Sequence, residues 1–231
     1  MPIAGVLGGL GPAATVDFMS RVLTQTTAEQ DQDHIRMLVD HNPTVPNRHL
    51  AIAGETPSVA PQLVAMARGL ESAGADFLVM ICNTAHAYAD DIAAAVNIPF
   101  ISLIDVTVEA VGAPPRPVGV MAADGCLRAG LYQSALRAAG HEPVTWSDSE
   151  LDQFMTLVYR VKAGDRDPEI GGAMSRLAAS LQFEGAEALI AGCTEIPLVL
   201  DETGLGLTLL DSTDLLVKRT IALARGEPSL T

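Results

Sequence analysis

Two stretches of the chain repeat one another, and they constrain its fold more than any other feature. Gly74-Ala75-Asp76 leads through an apolar run to Cys82-Asn83-Thr84, and Gly185-Ala186-Glu187 leads through a second run to Cys193-Thr194-Glu195. In each, a cysteine stands eight residues after the glycine with a threonine close behind. Apolar runs of this length, with glycine before them and polar turn residues after, read as buried strands. The repetition is wider than the cysteines: Gly5-Val6-Leu7-Gly8-Gly9 has a counterpart in Gly119-Val120-Met121-Ala122-Ala123-Asp124-Gly125. The offset is 114 residues there and 111 between Cys82 and Cys193. Two similar offsets indicate a duplicated half-chain, each half ending an equivalent strand in a thiol.

Short apolar runs alternate with segments of helical period along the whole chain, the pattern of parallel strands joined by helices. Strands are expected at Ile3–Leu7, Arg36–Asp40, Phe77–Ile81, Phe100–Ser102, Pro117–Met121, Ala188–Ala191 and Leu207–Leu210. Helices are expected at Thr15–Glu29, Val59–Ser72, Ala85–Ala95, Ala129–Ala139, Leu151–Val161, Ile170–Gln182 and Thr213–Ala224. The fold class that follows is α/β: two pseudo-symmetric domains, each a small, mostly parallel sheet flanked by helices, with a site in the cleft where the carboxyl ends of the strands meet. Gly112-Ala113-Pro114-Pro115-Arg116-Pro117 is the linker, because its prolines break helix and favour an extended crossing. Residues 1–112 together with 207–231 are expected to form the first domain, with the last strand returning to complete the first sheet, and residues 113–206 the second.

Charge narrows the function. With 28 acidic against 14 basic side chains the formal charge is −14, which repels nucleic-acid backbones and anionic membranes. No apolar run reaches the roughly 18 to 20 residues that span a bilayer, and the N-terminus lacks the basic segment of a signal peptide, so a cytoplasmic protein is expected. Cys82, Cys126 and Cys193 are too dispersed for a metal knuckle, and three thiols make no disulfide framework. No metal is expected.

The chemistry-bearing residues cluster after strands. A local positive field lowers a thiol's pKa, so a pair of thiols can hold one thiolate and one thiol near neutral pH. One sulfur then removes a proton and the other returns one. Asn83, Thr84 and Thr194 follow the cysteines where they either cap the next helix or hold a carboxylate. Glu195 and His86 lie within a turn of the thiols and are candidates to tune them. The loop from Gly8 to Thr15, with Leu10 at its tip, lacks the spacing of a nucleotide-binding loop and suits the wall of a small-acid cleft. Arg48 sits in a proline-stiffened loop fit to present its guanidinium to a carboxylate. Lys162, one of only two lysines, closes a helix.

Together these motifs resemble the cofactor-independent aspartate/glutamate racemase superfamily, and most closely its aspartate racemase branch. The resemblance rests on Gly8 through Thr15, Asp33-His34, Asn42-Pro43 through Arg48, Gly74-Ala75-Asp76 into Cys82-Asn83-Thr84-Ala85-His86, Asn97-Ile98-Pro99-Phe100, and Gly192-Cys193-Thr194-Glu195-Ile196-Pro197-Leu198. It implies a two-domain α/β fold, racemisation of an acidic amino acid by two thiols without pyridoxal phosphate or any other cofactor, and a homodimer. By similarity Cys82 and Cys193 are the acid/base pair. Arg48 and Lys162 match positions that bind the substrate's two carboxylates, and Asn83, Thr84 and Thr194 those that hold the α-carboxylate. Relatives commonly show Ala-Thr-Asp-Gly-Thr where this chain has Ala122-Ala123-Asp124-Gly125-Cys126, so Cys126 is either a substrate-facing thiol in place of a hydroxyl or a packing substitution. The rival readings are a broad aspartate/glutamate racemase, a related decarboxylase, cis-trans isomerase or hydantoin-type racemase, and, from another class, a non-catalytic protein that binds acidic amino acids.

Overall fold

A computed structural model describes residues 1–200 and 205–227. The first half runs β1 (Ala4–Gly8), α1 (Pro12–Gln25), β2 (Met37–His41), α2 (Arg48–Ile52), α3 (Ala60–Ser72), β3 (Phe77–Met80), α4 (Ala89–Ala93), β4 (Phe100–Ile101) and α5 (Leu103–Glu109). The second runs β5 (Pro117–Ala122), α6 (Asp124–Arg128), α7 (Leu131–Ala138), β6 (Glu142–Val144), α8 (Asp148–Lys162), α9 (Pro168–Phe183), β7 (Ala188–Gly192), β8 (Leu209–Asp211) and α10 (Ser212–Arg225). Each half holds a four-stranded sheet, ordered β2-β1-β3-β4 and β6-β5-β7-β8. Every pairing is parallel.

The duplication holds down to single atoms. A Cβ built on Gly5 would meet Leu78 Cδ2 at 2.6 Å and Ala75 Cβ at 2.8 Å, and one on Gly119 would meet Leu189 Cδ2 at 2.6 Å and Ala186 Cβ at 3.1 Å. In both halves the central strand is bare at this point so that the preceding helix and the neighbouring strand can close on it. Gly74 and Gly185 open their strands with φ of 97° and 98°, a left-handed backbone that side chains disfavour. The repeated Gly-Ala-acid signature is thus a helix-to-strand turn: Ala75 and Ala186 each donate N–H back into the helix, to Leu70 and Leu181, and Asp76 and Glu187 each donate to the strand alongside.

The last strand corrects the sequence expectation. β8 does not complete the first sheet but pairs with β7, Leu209 opposite Leu189 and Asp211 opposite Ala191. The corresponding edge of the first sheet is already covered by β4 on β3, so duplication leaves β7 as the open edge. Only α10 returns, packing on α1 and α5. Other differences are local. α5 went unseen because its β-branched residues are poor helix formers in isolation; Ser102 caps it by accepting from Asp105 N–H, and burial of Leu103, Ile104, Val106 and Val108 holds it. α2, α6 and β6 are too short to show a period. The helix expected at Ala85–Ala95 is a 3-10 turn over Thr84–Tyr88 followed by the short α4.

Three apolar cores result. One lies outside the first sheet under α3, and one outside the second under α8 and α9. The third lies between the halves, where Phe18, Val22, Leu103, Val108, Tyr132, Leu136, Leu216 and Val217 meet strand residues of both sheets. No helix among the described residues is long and apolar enough to cross a membrane.

Candidate active site

The carboxyl ends of the two sheets face one cavity, and most of the residues singled out from the sequence line it. Cys82 leaves β3 and Cys193 leaves β7; Arg48 opens α2 and Lys162 closes α8. The lining is Arg48, His49, Cys82, Asn83, Thr84, Ala123, Lys162, Cys193, Thr194 and Glu195. The space they enclose is about 20 Å³, room for about one water molecule. At that size the cavity is too small for an amino acid, so its walls must move for a substrate to fit.

The two thiols differ. Cys82 is half-buried, whereas Cys193 is buried and its thiol donates to Glu195 Oε2 at 3.1 Å. Burial, then the adjacent Glu195 charge, push the Cys193 pKa well above the ordinary thiol value, against the lowering pull of Lys162. Cys193 therefore rests as the protonated partner. The other oxygen of Glu195 takes Lys162 Nζ at 2.5 Å, and Thr194 Oγ1 lies 3.4 Å from Oε2. Burial works against the Lys162 ammonium, but Glu195 and the neighbouring thiols outweigh it and leave the pKa raised. Gly11 seals this group from the first half: a Cβ there would stand 2.8 Å from Glu195 Oε1.

Arg48 is held by backbone carbonyls. Nη1 donates to Val45 O at 3.0 Å and Pro46 O at 2.8 Å, and Nη2 donates to Leu10 O. A guanidinium has five N–H donors, so Nε and one Nη2 hydrogen stay available, and among the described residues Arg48 has no carboxylate partner. Leu10 acts here through its carbonyl, its side chain being packed in the outer core of the first half.

Three expected residues sit differently. His86 is buried away from the cavity lining: Leu103 N–H donates to its Nε2 at 3.0 Å, so Nδ1 carries the hydrogen and donates to Cys82 O at 2.8 Å. It orients the Cys82 turn through the backbone. Cys126 lies in the core between the halves, where burial pushes its thiol far up, an inert packing group. Asn83 lines the cavity with its amide anchored in the core, Oδ1 accepting from Tyr132 OH at 2.6 Å and Nδ2 giving one of its two hydrogens to Ser212 Oγ at 3.3 Å. Ser212 Oγ in turn donates to Ala191 O at 2.7 Å, so this buried chain ties the two strand ends together.

Sequence reasoning missed His49, which enters the cavity beside Arg48. Its Nδ1 accepts from Gly125 N–H of the opposite half at 3.1 Å. Burial, then the Lys162 and Arg48 charges, lower its pKa to about 4, so it is neutral at pH 7. Its place next to Arg48 in a short helix was the one available signal. Among the described residues no group of three His, Cys, Asp or Glu side chains is arranged to hold a metal.

A family model described as Asp/Glu/Hydantoin racemase matches residues 7–220. The broad specificity amino-acid racemase RacX of Bacillus subtilis is 26% identical over 225 residues, covering 94% of this chain and 96% of that protein. A glutamate racemase of Shewanella woodyi is 26% identical over 68% of the chain. Among solved structures, the Picrophilus torridus aspartate racemase superposes with a TM-score of 0.86 at 26% identity, covering 97% of this chain and 95% of that one.

Proposed function

Given that the chain belongs to the Asp/Glu/hydantoin racemase family, we propose that it interconverts the enantiomers of an acidic amino acid, aspartate foremost, by proton transfer at the α-carbon between Cys82 and Cys193. The observation that supports this most is that one thiol from each half lines the same small cavity with Arg48 and Lys162. A thiolate on one side takes the α-hydrogen and the thiol on the other side protonates the planar carbanion, so each direction of reaction needs both sulfurs. An α-hydrogen is a weak acid. The barrier falls chiefly through donors fixed in advance around the developing charge, here the two remaining Arg48 N–H groups, Lys162 and the Thr84 and Thr194 hydroxyls, in a site closed to water. Parting and closing of the halves admits substrate and then restores that exclusion. A neutral His86 holds the Cys82 turn in place.

The test is incubation of the purified protein in heavy water with each enantiomer of aspartate, glutamate and a panel of neutral amino acids, because one relative is of broad specificity. Racemisation with deuterium entering at the α-carbon is expected, and Cys82→Ser or Cys193→Ser should each cost at least about 100-fold in kcat with the fold intact. A protein that binds aspartate without exchange is a sensor, and near-normal turnover by either serine variant overturns the two-thiol reading. We also infer pairing with a second copy, for which Val16, Met19 and Leu23, exposed on one face of α1, offer an apolar surface. A monomer in size-exclusion chromatography would refute it.

A further inference from the structure

An amino acid brings the cavity a charge that the proposed reaction does not use, its α-ammonium. A buried cation without a partner costs several kcal/mol. Arg48 and Lys162 serve carboxylates and repel an ammonium, and the threonine hydroxyls can accept a hydrogen bond from it but supply no countercharge. Among the described residues that line the cavity, one alone carries a carboxylate, and it is Glu195. The glycine-rich loop of the first half, from Gly8 to Thr15, contains no acidic side chain. Glu195 is 4% exposed and lies beside the Cys193 sulfur at 3.1 Å, where the groups attached to a reacting α-carbon must come.

We propose that Glu195 is the receptor of the substrate ammonium, and that substrate binds by exchanging ion pairs with Lys162. This rests on the racemase reading above and names the recognition within that site. At rest Lys162 Nζ, itself an ammonium, fills the receptor at 2.5 Å. An incoming amino acid supplies both partners at once: a carboxylate for Lys162 and an ammonium for Glu195. No buried charge is left unpaired at the end of the exchange, so the site is stable empty and selective when filled. A dicarboxylate that lacks the ammonium can draw Lys162 away only by stranding Glu195, and the site rejects it. The exchange keeps a positive charge on the carboxylate that faces the Cys193 thiol throughout, Lys162 before binding and the substrate ammonium after it. Any side chain at position 11 would press on Glu195 Oε1, so glycine there keeps the carboxylate accessible to its partners.

The experiment compares binding of aspartate with binding of succinate, the same diacid without its ammonium, by calorimetry in a Cys82→Ser background so that neither ligand turns over. The parent protein should prefer aspartate by about 10- to 100-fold, the range for a charge-assisted hydrogen bond. Adding Glu195→Gln should collapse the preference to near unity whatever it does to absolute affinity. Adding Lys162→Met should widen it, because the carboxylate then lacks its resting partner. If Glu195 only tunes the thiol, both ligands weaken together and the ratio stays, which overturns the proposal, as does a parent protein that binds both ligands equally. A parent that binds neither ligand refutes the racemase reading itself, a separate failure. Should the Gln variant not fold, the Lys162→Met ratio decides alone.

Discussion

His86 illustrates how a single side chain serves this site without touching the cavity. It is buried, it bridges Cys82 O and Leu103 N–H, and burial lowers its pKa to about 4 even though the Cys82 backbone and Asp105 pull the other way. Its folded-state pKa lies below the unfolded value, so the unfolded chain binds more protons between the two. Its contribution is therefore whole above about pH 6.5 and is lost as pH falls toward about 4, up to roughly 3 kcal/mol. His49, also lowered to about 4 and lying among Lys162, Arg48, Asp124 and Glu195, acts in the same window and direction. Urea unfolding at pH 7 and pH 4.5 should show a clear fall in stability, and His86→Gln should make that fall smaller. An unchanged pH dependence in the variant would show that the imidazole is not held neutral. The motif Cys82-Asn83-Thr84-Ala85-His86 announced this residue from the sequence, but not its direction. Spacing placed it within a turn of the thiol, whereas the donor that fixes its Nε2, Leu103 N–H, lies 17 residues away.

At the level of elements, the strand-to-helix units are built on a few tight contacts that the duplication copies. Gly119 in β5 is enclosed by Leu189, Ala186 and Leu181, the last two with Cβ atoms 3.1 Å from an added Cβ. Gly119→Ala should destabilise the protein by about 1 to 3 kcal/mol through overpacking. Gly172, exposed in α9 and 3.7 Å from only the Arg176 guanidinium, makes the opposite case, and Gly172→Ala should stabilise by up to about 1 kcal/mol through helix propensity. Denaturant midpoints of the two variants should move in opposite directions, and a shared sign would show that packing at Gly119 is looser than the distances say. The strands and long helices were readable because periodicity and glycine turns are written within a few residues, although α8 starts three residues before the expected Leu151, at a Ser147/Glu150 capping box the periodicity did not reveal. α2 and α5 were not, because the contacts that make them helices lie on other elements.

The whole molecule is one cooperative body by its packing. A continuous core joins the halves, and Arg21 of α1 to Asp211 at the end of β8 at 2.6 Å and Arg219 of α10 to Glu109 of α5 at 2.6 Å tie one half to the other. Calorimetry should record a single transition despite the duplicated architecture, whereas two separate transitions would mean that the halves fold independently. Tyr132→Phe, which strands Asn83 Oδ1 in the core, should lower that one transition by about 1 to 3 kcal/mol of stability. The duplicated Gly-Ala-acid and Cys-Thr stretches were enough to establish two equivalent parallel units with a thiol at the end of each, since strand, turn and glycine conformation depend on neighbours in sequence. What they left open were matters of long-range partnership: that β8 takes the edge of β7, that the Asn83 amide turns to Tyr132 and Ser212, that His49 crosses to Gly125, and that Glu195 rests against Lys162. Each of these joins residues from 20 to more than 100 positions apart. A side chain's direction in a buried site is chosen by whichever charge, donor or open edge the folded chain brings against it, and no local pattern carries that information.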